Sequence, residues 1–392
     1  MVEGTATRHR LLSDVLVVDL SRALAGPHAT MMLADLGARV IKVEQPGSGD
    51  DSRGWGPPFV GPADAPLATY FLACNRNKRS MVLDLKRRDD VETLLALVDR
   101  ADVLVENFRS GVLERLGLAI PVLRRRNPRL VVLSMTGFGH DGPMAERPGY
   151  DQIVQGESGL MSLTGAGPGE PLKTGIPISD LFTGMYGAFG VVAALHERDR
   201  TGQGTVVRTS LLAASIGAHT FQGSRWTVGR EVPAPTGNHH AAIAPYGMFR
   251  CGDGHVQIAV ATEAQWRAFA AAIGLDASDE RWRTNGDRLT HRDELVAVIE
   301  EAFAGRSRTE LLEMLDDLGI PAGQVATLDE VYASEVVRSQ GLLIEVEHPV
   351  LGRLELPGPP LRFDDRDCDP YEPPPLLGEH TEEIRAWIGR GA

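Results

Sequence analysis

Asp180 follows a short apolar run, residues 175–178, and Ser179, and opens a Gly- and Ala-rich stretch. This order predicts a strand-to-helix junction with a carboxylate at the turn, beside small residues that let a ligand approach the backbone. A carboxylate with space in front of it attacks an acyl carbon and holds the product as an anhydride. An aspartate just before a helix also reads as an N-cap that accepts orphan backbone N–H groups. Both roles hold together, because a helix N-terminus lowers a carboxylate pKa and keeps the group ionised.

Other residues carry chemistry by type. In Gly149-Tyr150-Asp151, the Tyr150 phenol has a reference pKa of about 10 and exchanges a weakly acidic carbon-bound proton poorly near neutral pH. Its alternative reading is a packed aromatic with a satisfied hydroxyl. Glu263, ahead of Gln265 and Trp266, reads as an acid in the first turn of a helix. Lys86, Arg109 and Arg115 are cations of the kind that phosphate groups require. The neighbouring His239 and His240 point in different directions and make no metal site without a third ligand. The run at residues 165–169 (GAGPG) opens no helix after a strand, so it reads as a turn and not as a dinucleotide fingerprint.

The elements that must position these groups alternate along the chain. Residues 15–20, 39–44, 80–85 and 130–134 read as strands, and another begins at 103–105. Helical stretches follow Gly26-Pro27, closed by Gly37, and span residues 91–98. This is the pattern of a doubly wound parallel sheet, whose ligands bind at the carboxyl ends of the strands. The rhythm changes near Trp226, with a loop at 233–245, a strand at 255–260 and helices at 263–273, 292–303 and 308–318. A chain of 392 residues exceeds a typical single domain. The expected division is a large domain from residues 1–225 and 331–392 and a smaller α/β domain at 226–330.

Composition narrows the classes. A net charge of −13 argues against a nucleic-acid binder, and the Arg124-Arg125-Arg126 cluster reads as a solvated helix end. Three dispersed cysteines fit a reducing cytoplasm better than a disulfide framework. No stretch reads as the roughly 20 continuous apolar residues of a membrane span, and the N-terminus reads as no secretory signal.

Several motifs occur together: residues 22–27 (RALAGP), Ile41-Lys42-Val43-Glu44 with residues 47–50 (GSGD), 75–86 (NRNKRSMVLDLK), 106–111 (ENFRSG), 136–139 (TGFG), 179–184 (SDLFTG), 319–323 (GIPAG) and 377–383 (LGEHTEE). In order and spacing they resemble family III CoA-transferases, the group of formyl-CoA and carnitine CoA-transferases and 2-methylacyl-CoA racemases, over residues 12–388. The resemblance implies a Rossmann-like large domain from both chain ends, a smaller α/β domain and an interlocked homodimer. It implies CoA esters as substrates, with no permanently bound cofactor and a carboxylic acid as the other substrate. Asp180 takes the place of the family's reactive carboxylate. Leu24, Ala25, Leu83, Lys86, Asn107, Phe108, Arg109, Arg115, Gly137 and Phe138 fall at the CoA pocket, with residues 83–86 and 107–108 as walls of an adenine slot.

Two departures from the family pattern bear on the reaction. The racemase branch carries a proton-shuttling His where this chain has Tyr150 and a second acid–base carboxylate where it has Glu263. With the His absent one half of that pair is missing, which speaks for acyl transfer and leaves Glu263 a secondary catalytic candidate. Formyl-CoA transferases carry a run of glycines where this chain has His239 and His240, which suits recognition of the far end of the acid. A racemase or epimerase and a non-catalytic CoA-ester-binding protein stay open as alternatives. An NAD-dependent dehydrogenase is disfavoured, because residues 21–27 contain a single glycine.

Overall fold

The computed structural model describes residues 7–364 and 368–390, so the first six residues, read above for a leader, lie outside it. The Cys368 side chain is likewise undescribed, and Cys74 and Cys251 carry free thiols. The chain forms two compact units. The larger takes the described residues up to Leu160, Thr174–Arg230 and those from Glu335 onward. The smaller takes Met161–Lys173 and Glu231–Ser334.

Six β-branched and apolar runs build the sheet of the larger unit: β1 (Leu16–Asp19), β2 (Arg39–Glu44), β3 (Lys78–Val82), β4 (Val103–Glu106), β5 (Val131–Thr136) and β6 (Val206–Ser210). All pair in parallel, in the order β3-β2-β1-β4-β5-β6. Alternate residues feed opposite faces. Leu16, Val18 and Leu20 pack with Leu94 and Leu97 of α2 (Arg88–Val98) and with Ile384 of the C-terminal helix (Thr381–Gly389). Val15 and Val17 pack with Ala29 and Leu33 of α1 (Ala25–Asp35) and with Val191 and Leu195 of a long later helix, Ile178–Thr201. Helices therefore cover both faces. The strand order reverses between β1 and β4, and crevices at such points hold ligands.

That long helix corrects one expectation. Among the described residues it is the one helix long and apolar enough to cross a membrane, with a mean hydropathy of 1.4 over 18 residues. One face of it packs into the unit, while Met185, Tyr186, Phe189 and Val192 stand exposed.

In the smaller unit, β7 (Tyr246–Cys251), β8 (Gly254–Ala259) and β9 (Ala322–Gln324) form an antiparallel sheet. Phe249, Trp266, Phe269, Phe303 and Leu311 make its core. Thr262 with Gln265, and Ser307 with Glu310, start its helices Glu263–Ala272 and Arg308–Asp317 with capping boxes, so these boundaries follow from local sequence.

Candidate active site

Asp151 opens α3 (Asp151–Glu157), and the long helix Ile178–Thr201 is α4. The helix begins after Pro177, whose ring offers no side-chain acceptor for the first N–H groups. Asp151 supplies it from another element: one carboxylate oxygen accepts from the backbone N–H groups of Ser179 (2.8 Å) and Asp180 (3.3 Å). The other oxygen accepts from Gln155 Nε2 at 2.6 Å, and Gln155 Oε1 accepts from Thr174 N at 3.0 Å. Ser179 is tied at 2.8 Å to Ser215 of α5 (Leu211–Gly217).

Two readings are thereby corrected. Residues 175–178 form no strand, since Gly175 and Pro177 interrupt extended pairing and the helix starts at Ile178. Asp180 is the third residue of α4, not its N-cap, and its own carboxyl is left for other work.

The electrostatics are also reversed. Burial, and after it the charge of Asp151, push the Asp180 carboxyl up from 3.8 to about 7. The helix terminus does not offset a half-buried site beside a second carboxylate. Tyr70 faces the same cluster. Burial and the charges of Asp180, Cys74, Asp151 and Asp50 raise its phenol, which stays a hydrogen-bond donor. Its ring meets Trp55 edge-on at 5.0 Å between centroids.

α4 crosses the start of α1 closely. A Cβ at Gly184 would lie 2.7 Å from the Ala25 carbonyl oxygen, so only glycine fits there. This brings Ala25 alongside α4 one turn after Asp180. Leu24 packs with Met31 and Cys74, and Tyr70 and Leu181 close over that cluster.

At the sheet's reversal point, Asn107 clamps the loop after β1: its Oδ1 accepts from Arg22 N at 2.9 Å and its Nδ2 donates to Arg22 O at 2.7 Å. The Arg22 guanidinium lies 5.4 Å from the Phe108 ring centroid. Ala23 is held at φ +70°, a left-handed conformation rare for a residue with a Cβ, and its N–H donates to Asp50 at 3.0 Å.

The motif Ile41-Lys42-Val43-Glu44 and Asp50, which help to carry the family resemblance, lie inside the unit. Lys42 Nζ pairs with Asp50 at 2.7 Å and donates to Ser21 O at 2.9 Å, and both ion-pair side chains are fully buried. Lys78 pairs with Asp19 at 3.1 Å, and Glu44 binds Arg53 through both oxygens. These charges hold the loop from behind.

The remaining expected positions divide. Lys86, Arg109 and Arg115 are exposed near the ends of β3 and β4. Leu83 is only 1% exposed and fills the sheet core, because its side chain follows the buried alternation of β3 instead of walling a slot. Phe138 is buried against Val154 and Leu211. Gly137 touches Gly149, where a Cβ would sit 2.8 Å from the facing Cα. Tyr150 is 61% exposed and not the packed aromatic of its alternative reading, because its backbone caps α3 and turns the ring outward.

In the smaller unit, Glu263 accepts two hydrogen bonds from buried Arg288, at 2.7 and 3.2 Å, which hold its carboxyl below the usual range. His239 meets Phe249 edge-on, while His240 stacks on Tyr246 at 5.0 Å. No group of three His, Cys, Asp or Glu side chains suited to a metal occurs among the described residues.

Asp151, which holds the start of α4 and acts on the Asp180 carboxyl, is not singled out by the sequence. Its signal was indirect: a helix starting after Ile176-Pro177 lacks its own cap and needs an acceptor from elsewhere. Tyr70 gave no signal beyond its residue type.

Fold and site together define a doubly wound α/β protein with a paired-carboxylate site beside the crevice where its strand order reverses. The profile of CoA-transferase family III matches residues 12–381. The chain belongs to that family, and it is a CoA-transferase. It is 38% identical over 375 residues to the succinyl-CoA:glutarate CoA-transferase of Mus musculus, covering 95% of this chain and 85% of that one. To the succinate–glutarate CoA-transferase of Agrobacterium fabrum it is 38% identical over 386 residues, covering 96% and 95%. The crystal structure of a CAIB/BAIF family protein from Brucella suis superposes with a TM-score of 0.88 at 39% identity, covering 97% of this chain and all of the other.

Proposed function

We propose that this enzyme moves CoA from an acyl-CoA, succinyl-CoA among the donors, to a dicarboxylic acid through covalent intermediates on Asp180. The observation that carries the reading is the Asp180 carboxyl itself, half-buried beside Asp151 and raised to about 7. A carboxylate of raised basicity is a stronger nucleophile, and near neutral pH about half of it is ionised.

An Asp180 oxygen attacks the donor's thioester carbon, the C–S bond breaks, and CoA leaves as the thiolate. The thiolate attacks the aspartyl carbonyl of the mixed anhydride, forming an aspartyl-CoA thioester and freeing the donor's acid. The acceptor carboxylate then attacks that thioester, and the returning thiolate attacks the acceptor's acyl carbon and restores Asp180. Tyr70 donates to the oxyanion or to the departing carboxylate. Asn107, Phe108, Arg109 and Arg115 take the nucleotide end of CoA. The larger unit is then the CoA-binding domain. The exposed apolar residues of α4 support a homodimer, since a soluble chain rarely leaves such a row uncovered.

Racemisation has less support: Glu263 is held by Arg288, and Tyr150 replaces a histidine. The test is to incubate the protein with a panel of acyl-CoAs, add hydroxylamine and map modified peptides by mass spectrometry. A hydroxamate on Asp180 is expected. Its absence with every donor that binds, or full activity in Asp180→Ala, would refute the mechanism.

A further inference from the structure

We infer that His140 is a positioning residue for the nucleotide loop at residues 107–108, acting through Ser134 and Glu106. The inference rests on the proposal that this loop holds the nucleotide end of CoA. Glu106 ends β4 and pairs in register with Ser134 on β5. Both are nearly buried, at 4% and 3% exposure. One Glu106 oxygen accepts from the Ser134 hydroxyl, and the other accepts from the Phe108 N–H at 2.9 Å. The Ser134 oxygen meets His140 Nε2 at 2.8 Å. The chain returns to make this contact through a turn in which Gly139 N–H donates to Thr136 Oγ1 at 3.0 Å. An unbroken line of hydrogen bonds thus runs from His140 to the backbone of Phe108, whose neighbour Asn107 clamps Arg22.

The line has two proton arrangements. With Glu106 ionised, Ser134 donates to the carboxylate and His140 donates Nε2–H to Ser134, so the Phe108 N–H meets a charged acceptor. With Glu106 protonated, the acid donates to Ser134, Ser134 donates to His140, and Phe108 keeps only a neutral and weaker acceptor. The charged groups acting on Glu106 and His140 are Glu114, which disfavours the Glu106 anion, and Arg208 and Asp141, which oppose each other at His140. Burial raises Glu106 and lowers His140, so both groups move toward neutrality. His140 does not reach the reacting atoms. It keeps the serine hydroxyl aimed at Glu106 and thereby the loop in place.

The test uses the full chain, with CoA affinity measured by calorimetry and kcat and KM for the acyl-CoA measured from pH 6 to 8. His140→Phe removes the donor to Ser134, and is expected to weaken CoA binding about 5-fold with kcat held within about 2-fold, the effect of one net hydrogen bond. His140→Gln, whose amide N–H reaches Ser134, should bind CoA as the wild type does. In wild type the affinity should rise with pH, and His140→Phe should change that dependence. Unchanged affinity and pH dependence in a folded His140→Phe, or a loss confined to kcat, overturns the inference. If His140→Phe does not fold, Ser134→Ala takes its place, and wild-type affinity there overturns it equally. Phe108→Ala separates the two levels. If it leaves CoA affinity unaltered, the nucleotide-loop reading falls and the inference with it. If Phe108→Ala weakens binding and His140→Phe does not, only the inference falls.

Discussion

Replacing Asp151 by asparagine removes a charge from beside Asp180 while keeping a side-chain oxygen for the N–H groups of Ser179 and Asp180. Two carboxylates in neighbouring side chains repel by about 2–4 kcal/mol at an effective dielectric near 20. Solvent contact at this half-buried site reduces that to about 1.4 kcal/mol, a tenfold change in acid dissociation. Asp180, at about 7 in the wild type, should then titrate near 6. At pH 6 its ionised fraction rises from about one tenth to about one half, so kcat/KM should rise by up to about 5-fold, less what the lower basicity takes from its nucleophilicity, while at pH 8 it should fall slightly. The new amide turns a donor toward Gln155 Nε2, so a loss of about 1 kcal/mol in stability should accompany the shift. The assay is the pH profile of kcat/KM with a saturating acceptor acid. An acid limb that stays in place, or moves to higher pH, would refute the claim that Asp151 raises Asp180.

Further outcomes follow from the same coordinates. Asp180→Asn should abolish transfer and stabilise the fold in a pH-dependent way. The folded carboxyl titrates above its unfolded value of 3.8, so wild-type stability falls as pH rises from about 4 to about 7 and stays low above that. The rise from 3.8 to about 7 is worth about 4 kcal/mol, and solvent contact at this site reduces it. The variant should therefore gain about 2–4 kcal/mol over wild type at pH 8 and almost nothing at pH 4, read from denaturant unfolding; an equal gain at both pH values would count against it. Lys42→Met strands Asp50 in the interior and should cost about 3–5 kcal/mol, with part of the loss recovered in Lys42→Met/Asp50→Asn. A wild-type thermal midpoint in the single variant would show the pair to be dispensable. Phe189→Glu places a charge on the most exposed large apolar residue of α4, 74% exposed, and should lower the sedimentation mass toward that of one chain; an unchanged mass would remove that face from any interface.

Much of this architecture is written locally. The β-branched runs of β1, β2 and β5 and the helix ends at Gly37 and Gly319 follow from residue type and neighbours within a turn or two. The site was legible only as far as its motifs. Asp180 stood out by its place in Ser179-Asp180, but its electrostatics depend on Asp151, 29 residues earlier, which no periodic pattern links to it. The burial of Lys42 and Lys78 was hidden for a related reason: a lysine in a strand reads as an edge or a surface position until carboxylate partners from other elements meet it, Asp50 from a loop and Asp19 from the end of β1. Glu263 stood out because the racemase branch has an acid–base carboxylate at its position, and only the third dimension supplies Arg288.

The sealed ion pairs behind the loop after β1 have a consequence for ionic strength. Counter-ions screen charges over about 8 Å in a physiological electrolyte, but they do so through water, and Lys42, Asp50, Lys78 and Asp19 touch none. Arg109 and Arg115 lie on the wet side. On the proposed assignment of Arg109 and Arg115 to the nucleotide end of CoA, added salt should compete with these outer guanidinium groups for the ligand while the backbone of residues 21–25 keeps its shape. The grip weakens and the mould persists, so a ligand driven off by salt should rebind on dilution without any slow refolding of the loop.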